Sequence, residues 1–212
     1  SSLVTFEFSE DVTGFDAGDL STVGGSMSDF AIVDANTYTA LFTASDDVAL
    51  TGSITVNGGY EDLNGNVGAS GFDNVVIDRV NPTVVSVVRA NADYTNAASV
   101  DFTVTFSENV TGVDLDGSDF SLVSSVAGAS IVSVSGSDAV YTVTVGTGST
   151  GGSIGLALAA TPTIQDAVGN DLNDTAISGA NENYTIASTE VLLSGGDVSV
   201  ADIRDATADD LT

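Results

Sequence analysis

Apolar and polar residues alternate with a period of two along most of this chain, and no stretch keeps the 3.6-residue spacing of a helix. In Val100-Asp101-Phe102-Thr103-Val104-Thr105-Phe106 the apolar side chains fall on one face and the polar ones on the other. Successive strand residues point to opposite faces, so the run predicts a half-buried strand. Val4, Phe6 and Phe8 against Thr5 and Glu7 repeat the arrangement near the start. Short runs of this kind, divided by Gly, Asn, Asp and Ser and with only two prolines, predict an all-β sandwich. Seven strands are predicted near 83–89, 99–107, 118–123, 129–135, 139–145, 153–158 and 182–186, and six near 3–9, 20–23, 29–33, 37–43, 52–56 and 74–78.

The two sets are one unit written twice. Phe8-Ser9-Glu10-Asp11-Val12-Thr13-Gly14 returns as Phe106-Ser107-Glu108-Asn109-Val110-Thr111-Gly112. Asp19-Leu20-Ser21 returns as Asp119-Phe120-Ser121, Tyr38-Thr39 as Tyr141-Thr142, and Gly52-Ser53-Ile54 as Gly152-Ser153-Ile154. Asp62-Leu63-Asn64-Gly65-Asn66 returns as Asp166-Ala167-Val168-Gly169-Asn170, and the offset drifts only from 98 to 104. A conserved spacing of about 100 residues describes tandem domains, each large enough to bury a core. The expected division is 1–78, 79–187 and 188–212. The first copy has nothing to match 83–89, so its domain is expected to lack its first strand, as though the chain begins inside a domain. Residues 188–212 match neither opening and are read as the start of a further β module. An arbitrary boundary explains both features. A sharper reading is that this tail, or a neighbour's, fills the first-strand position and joins subunits by strand addition.

Composition narrows the function classes. Thirty acids face three arginines (Arg79, Arg89, Arg204), with no Lys, His or Cys, for a formal charge of −27. Such a surface repels nucleic acid and anionic membranes, because phosphate contacts need cationic side chains. No apolar stretch reaches the ~18 residues that suggest a spanning helix, so no direct membrane insertion is expected. The acids are scattered singly or in pairs rather than in blocks, so they do not read as a disordered tail. A saline or calcium-containing exterior suits this charge.

The run from Val4 through the Phe-Ser-Glu-x-Val-Thr-Gly phrase, the Tyr-Thr strand and the Asp-x-x-Gly-Asn loop resembles bacterial immunoglobulin-like repeats. The likeness covers about residues 2–187. It implies tandem immunoglobulin-like β-sandwiches from a large surface adhesin or biofilm-associated protein, used as extenders and often stiffened by calcium. It also implies an extracellular location and neighbouring repeats of the same chain as partners. The glycine-rich calcium-binding nonapeptides of such proteins' secretion regions are absent.

If seven strands alternate up and down, the loops after strands two, four and six share one end of the domain. In the second copy these are 108–117, 135–138 and 159–181, carrying Glu108, Asp138, Asp166 and Asn170. The linker Asp78-Arg79-Val80-Asn81-Pro82 enters at that end, and Asp46 and Asp47 lie at the first domain's exit end. Oxygen ligands without His or Cys specify a hard cation, for which Ca²⁺ with six to eight oxygens is the best match. The candidate ligands are Asp78, Glu108 and Asp166, then Asp46, Asp47, Asp138 and Asn170, with Glu10 and Asp62 as the first-domain equivalents. A second reading stands beside it. Asp-x-x-Gly-Asn is also a tight turn in which Asp caps backbone N–H groups and Gly takes positive φ. Asp16, Asp29, Asp93 and Asp101 are read as solvated surface, and the Gly-rich stretch 146–155 as a flexible loop.

The usual general bases and activated nucleophiles are absent. Paired carboxylates can hydrolyse glycosides, but there is no Trp to furnish a sugar cleft. The expectation is therefore a non-enzymatic extender. The alternatives are a carbohydrate- or protein-binding module and a self-assembling filament subunit.

Overall fold

The computed structural model describes residues 1–188. It divides into two compact units, Ser1–Val80 and the chain from Asn81 onward. Both are all-β.

In the first unit the strands are β1 (Ser2–Glu7), β2 (Val12–Thr13), β3 (Leu20–Val23), β4 (Gly25–Ile32), β5 (Thr37–Ala44), β6 (Ala49–Val56), β7 (Glu61–Asp62) and β8 (Gly71–Asp78). One sheet runs β1-β5-β4 and the other β3-β6-β8, with β2 and β7 as a small separate pair. The alternating face of β1 turns Phe6 inward, against Phe15, Tyr38, Ala40 and Tyr60. Rings dominate this core. Phe15 lies edge-on to Phe6, Phe8, Phe30 and Tyr38 at centroid distances of 4.9–5.7 Å, a geometry that sets ring edges against ring faces.

The second unit repeats the plan with β9 (Val84–Arg89), β10 (Tyr94–Thr95), β11 (Ser99–Phe106), β12 (Val110–Thr111), β13 (Phe120–Ser124), β14 (Ser130–Ser137), β15 (Val140–Gly146), β16 (Gly152–Leu158), β17 (Gln165–Asp166) and β18 (Tyr184–Ile186). Its sheets run β14-β15-β11-β9 and β10-β18-β16-β13. The extra members are β9 and β10. They close one edge of each sheet: β9 pairs antiparallel with β11, and β10 pairs parallel with β18. Val84 and Val87 of β9 are fully buried with Phe102, Val104, Val143, Val145, Ile154 and Leu156.

The predicted strands agree with the observed ones to within a few residues, the largest departure being β4, which begins at Gly25 rather than at 29. The pairs β2–β7 and β12–β17, and the strand β10, fall where loops were expected; two-residue strands carry too little alternation to be seen in a sequence. The stretch 146–155 is not a free loop. Thr147 is buried and donates its hydroxyl to the Ala97 carbonyl, Ser149 N–H bonds the Ala127 carbonyl, and Thr150 Oγ1 accepts from Ala127 N–H. Asp101 is half-buried and accepts from Thr144 Oγ1 at 2.6 Å. Asp16 caps a 3-10 turn over Ala17–Asp19, Asp29 takes φ 51° in β4 and accepts from the Ser28 hydroxyl, and Asp93 accepts from Thr185 Oγ1. Asp16, Asp29 and Asp93 are exposed, as the sequence predicts, each with a local hydrogen-bond partner; Asp101 alone departs from that reading by being half-buried. Among the described residues no helix is long and apolar enough to cross a membrane. The expected module at 188–212 lies almost wholly outside the described residues.

Candidate cation site

The repeated phrase and the repeated turn are hydrogen-bonded to each other in both units. Val12–Thr13 pairs with Glu61–Asp62, and Val110–Thr111 with Gln165–Asp166. The hydroxyls of Thr13 and Thr111 each donate to the carbonyl opposite, Glu61 and Gln165, at 3.4 Å. The tyrosines of the repeated strand fix the other side: Tyr38 donates to the Val12 carbonyl and Tyr141 to that of Val110. Burial, and then the charge of Asp138, pushes the Tyr141 phenol up, so it stays a donor. Val110 N–H also bonds the Asp138 carbonyl. The loops holding Glu108, Asp138 and Asp166 therefore meet at one end of the second unit.

Asp166 is 3% exposed and its carboxylate is heavily bonded. Oδ1 accepts the N–H groups of Val168, Gly169 and Asn170 at 2.9, 2.7 and 2.9 Å, and Oδ2 accepts Asn170 Nδ2 at 2.7 Å. Gly169 supplies the turn with φ 94°. Desolvation is the largest single influence on this carboxyl and raises its pKa. The bonds from Asn170, Val168 and Gly169 together outweigh it and hold the group below the ordinary carboxylate value. The equivalent Asp62 accepts from Asn64 and Asn66 N–H and from Asn66 Nδ2. Its carboxyl is lowered too, through the Asn66 side chain first and then backbone N–H groups. The capped-turn reading of Asp-x-x-Gly-Asn is realised in both copies.

A turn role leaves part of Asp166 available. Three N–H donors fill Oδ1, whereas Oδ2 carries one bond, and a carboxylate offers about four lone-pair sites. Glu108, half-buried, brings a carboxylate oxygen within 4.8 Å of one from Asp166. That separation suits two oxygens bound to one ion at the 2.3–2.6 Å of calcium ligands.

Asn170 donates its Nδ2 to Asp166 Oδ2 and accepts Asp166 N–H at its carbonyl at 3.0 Å. Asp138 has φ 57° in the β14–β15 turn and accepts from Ser137 Oγ through Oδ2. Glu10 is exposed between β1 and β2, at the same end of the first unit as Asp62. Asp78 closes β8 and accepts Val80 N–H at 3.2 Å. Asp46 holds the Arg79 guanidinium through its Oδ1, and Asp47 turns the β5–β6 loop with φ 55°.

One carboxylate was missed from the sequence. Asp119, 2% exposed, accepts from Asp114 N–H at 2.7 Å and from Thr163 N–H at 2.6 Å, with Thr163 Oγ1 at 3.2 Å. It ties the loop after β12 to the loop after β16. Its counterpart Asp19 accepts from Asp16 N–H at 3.0 Å. The signal was present, since Asp19 and Asp119 are repeat equivalents, but the leading Asp-Leu-Ser and Asp-Phe-Ser read simply as strand openings.

No curated protein matches the chain. Residues 1–77 match the family model of the bacterial Ig-like domain. The match spans the three-stranded sheets, the aromatic core and the first phrase-and-turn clip, and the second unit repeats those strands in the same order. The first unit of this chain is a bacterial Ig-like domain.

Proposed function

We propose that the chain is an extender of an extracellular bacterial surface protein, with no catalytic role, and that calcium stiffens the passage from one Ig-like unit to the next. The observation that carries the reading is the approach of Glu108 to Asp166 beside a loop end stitched by hydrogen bonds. Two anionic oxygens held close repel each other, and a bound cation relieves that repulsion. Asp78 is the proposed third ligand. Thr83 is clipped to Ser107, next to Glu108, by Thr83 N–H to Ser107 Oγ and Ser107 N–H to the Thr83 carbonyl, both 2.9 Å. Five residue steps separate Asp78 from Thr83, a reach of roughly 17 Å at most. A shared ion would convert that tether into a joint.

The reading is supported by an all-oxygen donor set, by the excess of acids over bases, and by a fold made for tandem arrays. Weak sites with Kd on the order of 10⁻⁴–10⁻³ M fill readily outside cells. The test is thermal melting of the chain with millimolar Ca²⁺, with Mg²⁺ and with chelator. Calcium is expected to raise Tm, magnesium much less, because Mg²⁺ demands tighter octahedral geometry. Glu108→Gln is expected to remove most of the calcium increment while leaving the chelated Tm near wild type. Equal melting curves in calcium and chelator would end the stiffening proposal.

A further inference from the structure

Two asparagines of the first unit, Asn57 and Asn64, precede glycine, and both are exposed. An Asn-Gly pair is open to attack of the glycine nitrogen on the asparagine side-chain amide, because glycine has no Cβ to block the approach. The fold treats the two pairs differently. Asn64-Gly65 lies inside the capped turn: Gly65 N–H bonds the Asp62 carbonyl at 3.1 Å, and Asp62 Oδ1 accepts Asn64 N–H and Asn66 N–H, both at 2.8 Å. The attacking nitrogen is tied down there, and its turn with it. Asp116-Gly117 in the second unit is held in the same way, by Gly117 N–H to the Asp114 carbonyl at 3.1 Å.

Asn57-Gly58 follows β6 and lacks that restraint. Asn57 N–H is anchored to the Asp19 carbonyl at 2.7 Å, which fixes the start of the loop. Beyond the anchor, Gly58 N–H has no hydrogen-bond partner among the described residues, and Gly58 and Gly59 are both exposed. The Asn57 amide makes one long contact, from Nδ2 to Ser21 Oγ at 3.4 Å. In the second unit Ala159 and Ala160 follow Leu158 as Asn57 and Gly58 follow Val56. Ala159 N–H bonds the Asp119 carbonyl in the same manner, and Ala160 is exposed. Exposure of this loop therefore belongs to the fold and persists in the unit that has its opening strand.

We propose that Asn57-Gly58 is a self-modifying site, at which the chain turns its own Asn57 into a carboxylate. The Gly58 nitrogen attacks Asn57 Cγ and the Cγ–Nδ2 bond breaks. The proton of Gly58 passes by way of water to the departing nitrogen, which leaves as ammonia, and a cyclic imide remains. Water then opens the ring at either carbonyl, giving aspartate or the isomer whose main chain runs through the former side chain. The step needs no redox partner. The isomer lengthens the backbone by one methylene between the Asp19 anchor and Tyr60. That ring packs against Phe8 and Phe15 at centroid distances of 4.8 and 5.7 Å, and its hydroxyl donates to the Ala69 carbonyl at 2.7 Å. The modification thus reaches the aromatic core.

The test incubates the full chain in mildly alkaline buffer, folded and in urea, and follows both asparagines by peptide mass mapping. In the folded chain Asn57 is expected to convert at least about tenfold faster than Asn64, a barrier difference of about 1.4 kcal/mol. In urea, where the same Asn-Gly chemistry is free of the turn, the two rates should converge. Aged wild type should contain the isomer and melt below fresh protein, while Asn57→Gln aged alongside keeps its Tm. Equal rates in the folded chain, faster conversion at Asn64, or an Asn57 that stays intact while the urea sample converts would each overturn the proposal. Isomer-containing protein that melts like fresh protein would overturn the effect on Tyr60.

Discussion

Asp166 shows how one carboxylate can be held charged in a buried place. Burial opposes ionisation, yet four hydrogen bonds from its own turn hold its pKa below the ordinary value. The sign of the consequence follows. A folded-state pKa below the unfolded value of ~3.9 contributes stability above that pH, and the contribution is lost as pH falls through the folded value. Asp62 and Asp116, the latter lowered chiefly by Ser118 N–H, act in the same direction. Tm is therefore expected to hold down to about pH 4 and then fall in acid. In Asp166→Asn, which keeps an accepting oxygen but cannot titrate, part of that acid-side fall should vanish. An unaltered acid profile in the variant would show that this turn does not carry the dependence.

At the scale of elements, the phrase-and-turn clip depends on glycines that answer different demands. Gly112 has φ 79°, and a Cβ there would sit 2.5 Å from the Thr163 carbonyl oxygen, which is backbone and cannot swing away. Gly169 has φ 94° and open space around the same imagined atom. Gly169→Ala meets only the backbone penalty, on the order of 1 kcal/mol. Gly112→Ala adds a clash that must move the loop after β16, and is expected to cost clearly more. Urea unfolding of both variants decides it; equal losses would mean that the clip yields without resistance. Asp119 belongs to the same scale, because its bonds to Asp114 and Thr163 join the two loops that lie between the β12–β17 and β13–β16 pairings.

Across the whole molecule the dominant fact is charge. Of three arginines, Arg79 holds Asp46 and Arg89 lies near Glu182; Arg204 lies outside the described residues. Two pairs do little against a net −27. Self-repulsion opposes the folded state and is screened over about 10 Å at 0.1 M salt. Tm should therefore rise steadily as NaCl is raised from low concentration, independently of any specific calcium step. A flat or falling Tm would mean that the acids lie too far apart, or are too well neutralised, to matter.

Alternation alone placed the strands, because burying one face of a sheet demands period two wherever the chain is extended. The Phe-Ser-Glu phrase and the repeated Tyr-Thr and Gly-Ser-Ile landmarks likewise revealed two units, since equivalent inward positions carry equivalent side chains. The approach of Glu108 to Asp166 could be anticipated only through strand parity. Their actual proximity comes from β12 pairing with β17, two short runs with no period to read. Tertiary structure decided between the two readings of Asp62 and Asp166, which cap their own turns, and it alone showed that Asp119 is buried and that β8 is an edge among the described residues. Hydrogen bonds between residues tens of positions apart leave no periodic trace in a sequence. An edge is defined by which neighbour lies alongside it, a property no strand carries by itself.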